Sequence, residues 1–191
     1  MHGASTQKNA PWDLARIFNE LPGKDHTTYI SGNLASMNFI VEDAATRKCP
    51  KGILANMPLS VASSPAINEL AAGNDDTDAS HVSPSNEPLA CTVGAIAQNN
   101  RASLSNYGVS VDVFAPGVYT KSSWIKKGVK LESGTSLPTP RLTSLAAYLL
   151  GLKDIEPPKL CNLIESMSVK DVIKGISENT VNLLIQNSEA K

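Results

Sequence analysis

Ser136 stands in the run Ser133-Gly-Thr-Ser136-Leu-Pro-Thr-Pro140, immediately before the longest apolar segment of helical period in the chain. A hydroxyl residue at such a junction can do two things. Its oxygen can cap the helix by accepting from a backbone N–H that the first turn leaves without a partner. It can instead act as a nucleophile, because the same N–H groups and the helix dipole favour negative charge developing on a substrate oxygen. Spacing alone favours the cap. Ala71-Ala-Gly-Asn74 leads into an acidic run, Asp75-Asp-Thr-Asp78. Carboxylates at that density could hold a hard cation, but the Gly and distal Glu of an EF-hand loop are missing, so the run reads as a solvated turn. His2, His26 and His81 lack a ligand partner at i+4 and a neighbouring cysteine, and read as surface residues. Cys49, Cys91 and Cys161 allow at most one bridge and leave one thiol over.

The elements that must position these residues follow from periodicity. Leu142, Leu145, Ala146 and Leu149 share one face of a predicted helix over Ser136 to Leu150, with Gly151 as its C-cap. Cys91 to Ala97 and Ile53 to Met57 read as buried strands. Val109, Val111 and Val113 alternate with polar residues as a half-buried strand does. A helix starts near Pro157-Pro158 and carries Leu160, Leu163, Ile164 and Met167. The capping-box pattern Ser168-Val-Lys-Asp171 predicts another, and Thr180 to Ile185 a last strand. Nearer the N-terminus, residues 34–45 carry helical spacing that Cys49-Pro-Lys-Gly52 stops. Pro58 to Pro88 is loop-like, interrupted only by Ala66 to Ala72. Strands interleaved with helices indicate an α/β fold.

Composition narrows the functions. Of 191 residues, 41% are hydrophobic and 18% charged, enough apolar material for a packed core. With 17 Lys and Arg against 18 Asp and Glu, and no basic cluster beyond Lys126-Lys127, no surface is predicted for nucleic acid or an anionic membrane. The longest apolar run, Leu145 to Leu150, is too short to span a bilayer, and residues 1–9 contain no apolar core of a signal peptide.

Eight blocks together resemble the fungal proteinase K group of subtilisin-like serine endopeptidases. They are Asn9 to Phe18, Cys49 to Asn56, Leu70-Ala-Ala-Gly-Asn-Asp75, Ser83 to Ile96, Ser105-Asn-Tyr-Gly108 with its continuation to Val118, Ser133 to Arg141, Leu145 to Leu152, and Thr180 to Ile185. They occur in the family's order and cover most of the chain. The resemblance implies a parallel sheet flanked by helices on both faces, incomplete because central strands and helices are missing. It divides the chain into an N-terminal arm, residues 1–33, and a partial peptidase domain, residues 34–191. It places Ser136 at the nucleophile position and Asn74 at the oxyanion-hole position, with a backbone N–H at Ser136 as the second donor. It implies a Cys91–Cys161 disulfide and a structural calcium ion held by Asp112 with the carbonyls of Pro88 and Ala90. It implies no cofactor for catalysis, a peptide or protein substrate, and an extracellular monomer.

The departures from the family are as informative. Its D-T-G and H-G-T-H blocks, which carry the catalytic Asp and His, are absent, and the sequence passes over them near Ser31-Gly32-Asn33. Cys49 thereby loses the partner the family gives it. A second jump falls between Glu69 and Leu70, where the family has the rest of a helix and a buried strand. The chain is about two-thirds of a complete domain of this type. Pro58-Leu-Ser-Val61 replaces a glycine-rich edge that pairs with substrate backbone, removing an N–H and adding side chains. Arg141 replaces a His, which sets a charge near a buried helix face, and Ser144 replaces a Gly. A serine hydroxyl needs a base to take its proton. The expectation is therefore a serine endopeptidase by descent, inactive as written. The alternatives are a non-catalytic pseudoprotease that binds peptides, and the product of a gene from which intervening segments were omitted.

Overall fold

A computed structural model describes residues 42, 46, 54–57, 68–124 and 128–187. Contacts divide the chain into Met1–Arg47 and Lys48–Lys191. In the first unit only Glu42 and Thr46 are described, both helical and exposed. The predicted 1–33 arm, Cys49 and the Pro58 to Val61 edge lie outside the described residues.

The second unit is built on a seven-stranded sheet. Its main path runs β1 (Ala55–Met57), β2 (Asn68–Ala71), β3 (Cys91–Ala97), β5 (Val113–Pro116), β9 (Leu183–Leu184) and β8 (Val169–Lys170), with β4 (Asn100–Arg101) folded back on β3. From β1 to β9 every neighbouring pair is parallel; β4 and β8 are antiparallel additions. The continuous apolar run of β3 suits a central strand covered on both faces, and it is buried along nearly its whole length. β2 is notable because it spans the Glu69–Leu70 junction. Asn68 and Glu69 there supply the start of a strand leading into the Ala72-Gly-Asn74 turn.

Alternation along β3 and β5 sends side chains to two cores. On one face Cys91, Val93, Val113 and Ala115 pack against Leu142, Ala146, Leu149 and Leu150 of α1 (Pro138–Leu152) and against Leu160 and Ile164 of α2 (Leu160–Met167). On the other, Ile96 and Phe114 pack with Ala72, Ala79, Val111 and Ile173. Among the described residues both α-helices serve the first face; a 3-10 turn, Ala79–His81, and loop residues from Ile173 to Val181 serve the second. Cys91 and Cys161 are joined in a disulfide that pins α2 to the start of β3.

Several local expectations are corrected. Helix α1 runs through Gly151 to Leu152; Lys153, in extended conformation, donates to the Leu149 carbonyl, so no left-handed glycine is needed to end it. No helix opens at Ser168. Its hydroxyl donates back to the Ile164 carbonyl and its backbone ends α2, while Val169 and Lys170 pair with β9. Of the three alternating valines only Val113 is in a strand, and Val109 is 72% exposed. The last strand shrinks to Leu183–Leu184, because the Asn182 side chain closes on the Ile173 backbone N–H and carbonyl. An unanticipated hairpin, β6 (Thr120–Trp124) with β7 (Gly128–Glu132), forms a separate two-stranded sheet. Val129 and Leu131 on it are exposed, so it lacks the core-facing pattern that reveals a strand.

Candidate active site

Two turns meet at the C-terminal ends of the parallel strands, where open α/β sheets place their ligands. The first, Ala72 to Thr77, leaves β2; Gly73 carries it through φ +107°, a conformation that glycine adopts without cost. The second, Gly134 to Leu137, is drawn in by a bond from Gly134 N to the Gly117 carbonyl (2.9 Å), and Gly117 N is itself bonded to the Ile96 carbonyl at the end of β3 (3.0 Å).

Thr135 fastens the turns together. Its backbone N–H and its hydroxyl both donate to Asn74 Oδ1, at 2.7 and 3.0 Å, and its Oγ1 accepts from Gly73 N at 3.2 Å. Thr135 is fully buried and Asn74 exposed. With its oxygen committed to Thr135, the Asn74 amide has only its N–H groups left to offer. Ser136 is the next residue and is half-buried. It is not the helix cap: Leu137 holds that place, with no side-chain cap bond, and Pro138 and Pro140 supply no N–H to the first turn. The two residues that the resemblance implied, Asn74 and Ser136, are thus brought to one corner through Thr135. Sequence reasoning did not single out Thr135 itself, although it lies within the Gly-Thr-Ser block.

The acidic run beside Asn74 behaves as a structured surface turn. Asp76 pairs with Arg101 at 2.8 Å, and Asp78 caps the 3-10 turn through Ser80 N; the Ser80 hydroxyl first, and its N–H second, hold the Asp78 carboxyl below the usual range. His81, exposed, ends that turn. Arg141 is also exposed. Its guanidinium donates to the carbonyls of Pro116 (2.6 Å) and Leu137 (3.3 Å), so it tethers α1 to β5; the expected charge against a buried face is not found.

Asp112 lies at the opposite end of the sheet, since its Oδ2 accepts from Thr92 N at 2.6 Å at the start of β3. Burial pushes its carboxyl up to about 6, the Thr92 N–H opposes that, and the nearby charge of Glu165 adds to it. The sulfurs of Cys91 and Cys161 lie within 4.8 Å of this carboxylate, but joined to each other they are not thiolate ligands. Ala90, buried, and Pro88, exposed, lie just before β3. A desolvated carboxylate reluctant to ionise is a group that a hard cation would return to its charged form, and backbone carbonyls are the donors that would accompany it around calcium. The chemistry of the Asp112 carboxylate suits such an ion, at the end of the sheet away from Ser136.

Comparison with known proteins agrees with this architecture. The family model described as "Subtilase family" matches residues 14–187. The cuticle-degrading protease of Metarhizium anisopliae is 42% identical over 172 residues, covering 82% of this chain and 44% of that protein. Proteinase T of Parengyodontium album is 41% identical over 173 residues, covering 83% and 59%. A crystal structure of a cold adapted subtilisin-like serine proteinase superposes with a TM-score of 0.72 at 32% identity, over 83% of this chain and 61% of that one. The chain spans about half the length of the curated relatives it matches.

Proposed function

The chain belongs to the subtilase family, and from that premise we propose that it carries the nucleophile and oxyanion half of a serine endopeptidase site, on a peptidase domain comprising residues 34–191 after a 1–33 arm. The observation that carries this reading is the pair of hydrogen bonds that Thr135, the residue before Ser136, donates to Asn74 Oδ1, which leaves Asn74 its amide N–H groups to offer a ligand. In such a site Ser136 Oγ adds to the carbonyl of a peptide or protein substrate. The oxygen of that carbonyl takes up negative charge, and Asn74 Nδ2 and the Ser136 backbone N–H donate to it.

Acylation also needs a general base for the Ser136 Oγ proton, and the blocks that carry the family's catalytic Asp and His are missing from this sequence. In subtilisin itself, loss of the serine or histidine costs about 2 × 10⁶ in kcat and leaves roughly 10³–10⁴ over water. This chain by itself is therefore without useful peptidase activity. A calcium ion on Asp112, Pro88 and Ala90 would stabilise the fold and take no part in the chemistry. The Cys91–Cys161 bridge supports an extracellular setting, where disulfides persist.

Incubation with a fluorophosphonate probe and with a fluorogenic peptide tests the reading. No labelling and no hydrolysis are expected from the chain as written. Labelling that disappears in Ser136→Ala would overturn the proposed inactivity. A transcript with in-frame D-T-G and H-G-T-H segments at the codons for Asn33 or Glu69 would assign the activity to the longer product.

A further inference from the structure

Asn106 is fully buried, yet each polar atom of its side chain has a partner in the turn that carries Asn74. Its Nδ2 donates to the Ala72 carbonyl at 3.0 Å, and its Oδ1 accepts from Asp75 N at 2.9 Å and Thr77 N at 3.1 Å. Its own backbone N–H donates to the Gly73 carbonyl at 3.0 Å. The four partners bracket Asn74 on both sides. Asp75 and Thr77 have left the strand and can no longer find ladder acceptors, so a single amide oxygen replaces two. The fit is close: a Cβ added to Gly73 would stand 2.3 Å from Asn106 Nδ2.

Thr135 and Asn106 divide the work of aiming Asn74. Thr135 fixes the side-chain amide from one direction, and Asn106 fixes the backbone that carries it from the other. We infer that Asn106 is a positioning residue for the oxyanion site, a buried amide that templates the Asn74 turn so that its donor is in place before charge develops. This rests on the reading of Asn74 as an oxyanion donor given above. An oxyanion donor is effective because it does not reorganise during reaction, and an exposed turn of Asn, Asp and Thr has no rigidity of its own.

Amide hydrogen exchange by NMR and binding of benzeneboronic acid test the inference together. In the unmodified chain, the Asp75 and Thr77 amides should exchange as slowly as those of the sheet, although both residues are exposed. In Asn106→Ala those two should accelerate at least roughly tenfold while Val93 and Val113 are unchanged. Binding is measured at alkaline pH, where solvent hydroxide takes the hydroxyl proton in place of the family's His: the boronic acid adds to Ser136 Oγ, forming an O–B bond and a tetrahedral boronate whose oxygen lies in the hole. Asn106→Ala should weaken its binding roughly tenfold, and should add nothing in an Asn74→Ala background, as expected of a residue acting through Asn74.

Fast exchange at Asp75 and Thr77 in the unmodified chain would overturn the anchoring even if Asn106→Ala does not fold. An equal loss of boronic acid affinity in both backgrounds would overturn the positioning role. Binding unchanged in Asn74→Ala would instead overturn the oxyanion reading of Asn74, an outcome that the exchange rates distinguish from a failure of Asn106 to anchor the turn.

Discussion

Thr135 consumes the acceptor end of Asn74: its backbone N–H, which can only donate, and its hydroxyl meet the same side-chain oxygen at 2.7 and 3.0 Å. The direction of the amide is thereby fixed by chemistry, since an NH₂ group facing the Thr135 N–H would set donor against donor. Thr135 Oγ1 accepts from Gly73 N and gives its own proton to Asn74 Oδ1, so the hydroxyl both donates and accepts. The threonine that precedes Ser136 thus decides which end of the asparagine is presented.

Thr135→Val keeps the shape and the backbone donor but removes the hydroxyl. The buried Gly73 N–H then loses its acceptor and Asn74 one of its two donors. The variant should be destabilised by about 1–3 kcal/mol, measured as a fall in the urea midpoint at unchanged slope. Thr135→Ser should retain most of the loss-free behaviour. A valine variant with the parent's midpoint would show that the hydroxyl bonds do not contribute to stability.

Two glycines should respond in opposite directions to alanine. Gly73 sits at φ +107° with Asn106 in the space a Cβ needs, so Gly73→Ala should destabilise by at least about 1–3 kcal/mol from backbone strain alone. Gly151 lies inside α1 and a Cβ there meets open space. Gly151→Ala should stabilise by about 0.5–1 kcal/mol, the usual helical difference between the two residues. Thermal melts of the two variants side by side check both signs.

The Cys91–Cys161 bridge closes a loop with a sequence separation of 70. Chain entropy in the unfolded state makes a bridge of that span worth about 4 kcal/mol. Replacing both cysteines by alanine, or reducing the protein, should lower the urea midpoint accordingly, and α2 should lose exchange protection before β3 and β5 do. Equal stability of the oxidised and reduced protein would contradict this.

The parts of the fold that were legible in the sequence are those whose signal is local. Cys91 to Ala97 is a continuous apolar run, and Leu142, Ala146 and Leu149 recur at the spacing of a helix face; both elements formed near their predicted places. Ser168 misled because a hydroxyl at a helix boundary can serve either side. Its bond to the Ile164 carbonyl ends α2, and pairing with β9 takes the residues that a new helix needed. β8 and β9 are two-residue strands that exist only because their neighbours are already in place. Asn106 was hidden for a related reason: Ser105-Asn-Tyr-Gly108 has the composition of an exposed turn, and nothing local says that its asparagine is buried. Asn74 and Ser136 are candidates only through the resemblance; their junction through Thr135 is a tertiary fact.

Asp112 should give the protein a pH dependence opposite to that of an ordinary ion-paired carboxylate. Burial raises its pKa from 3.8 to about 6, so between those values the folded chain binds more proton than the unfolded one. Stability from this group is fully present below pH 3.8 and is lost as pH rises through about 6, a difference of about 3 kcal/mol. Asp112→Asn removes the ionisation. In the presence of a chelator, the stability of Asp112→Asn relative to the parent should therefore climb between pH 4 and pH 7 by about that amount. Comparing the two proteins at each pH cancels the opposing contributions of Asp78 and Glu156, whose carboxyls are held low in both. Calcium should reverse the order near neutral pH by stabilising the parent and leaving Asp112→Asn unchanged. A stability difference that stays flat across the range in chelator would show that the Asp112 carboxylate is not desolvated as the fold places it.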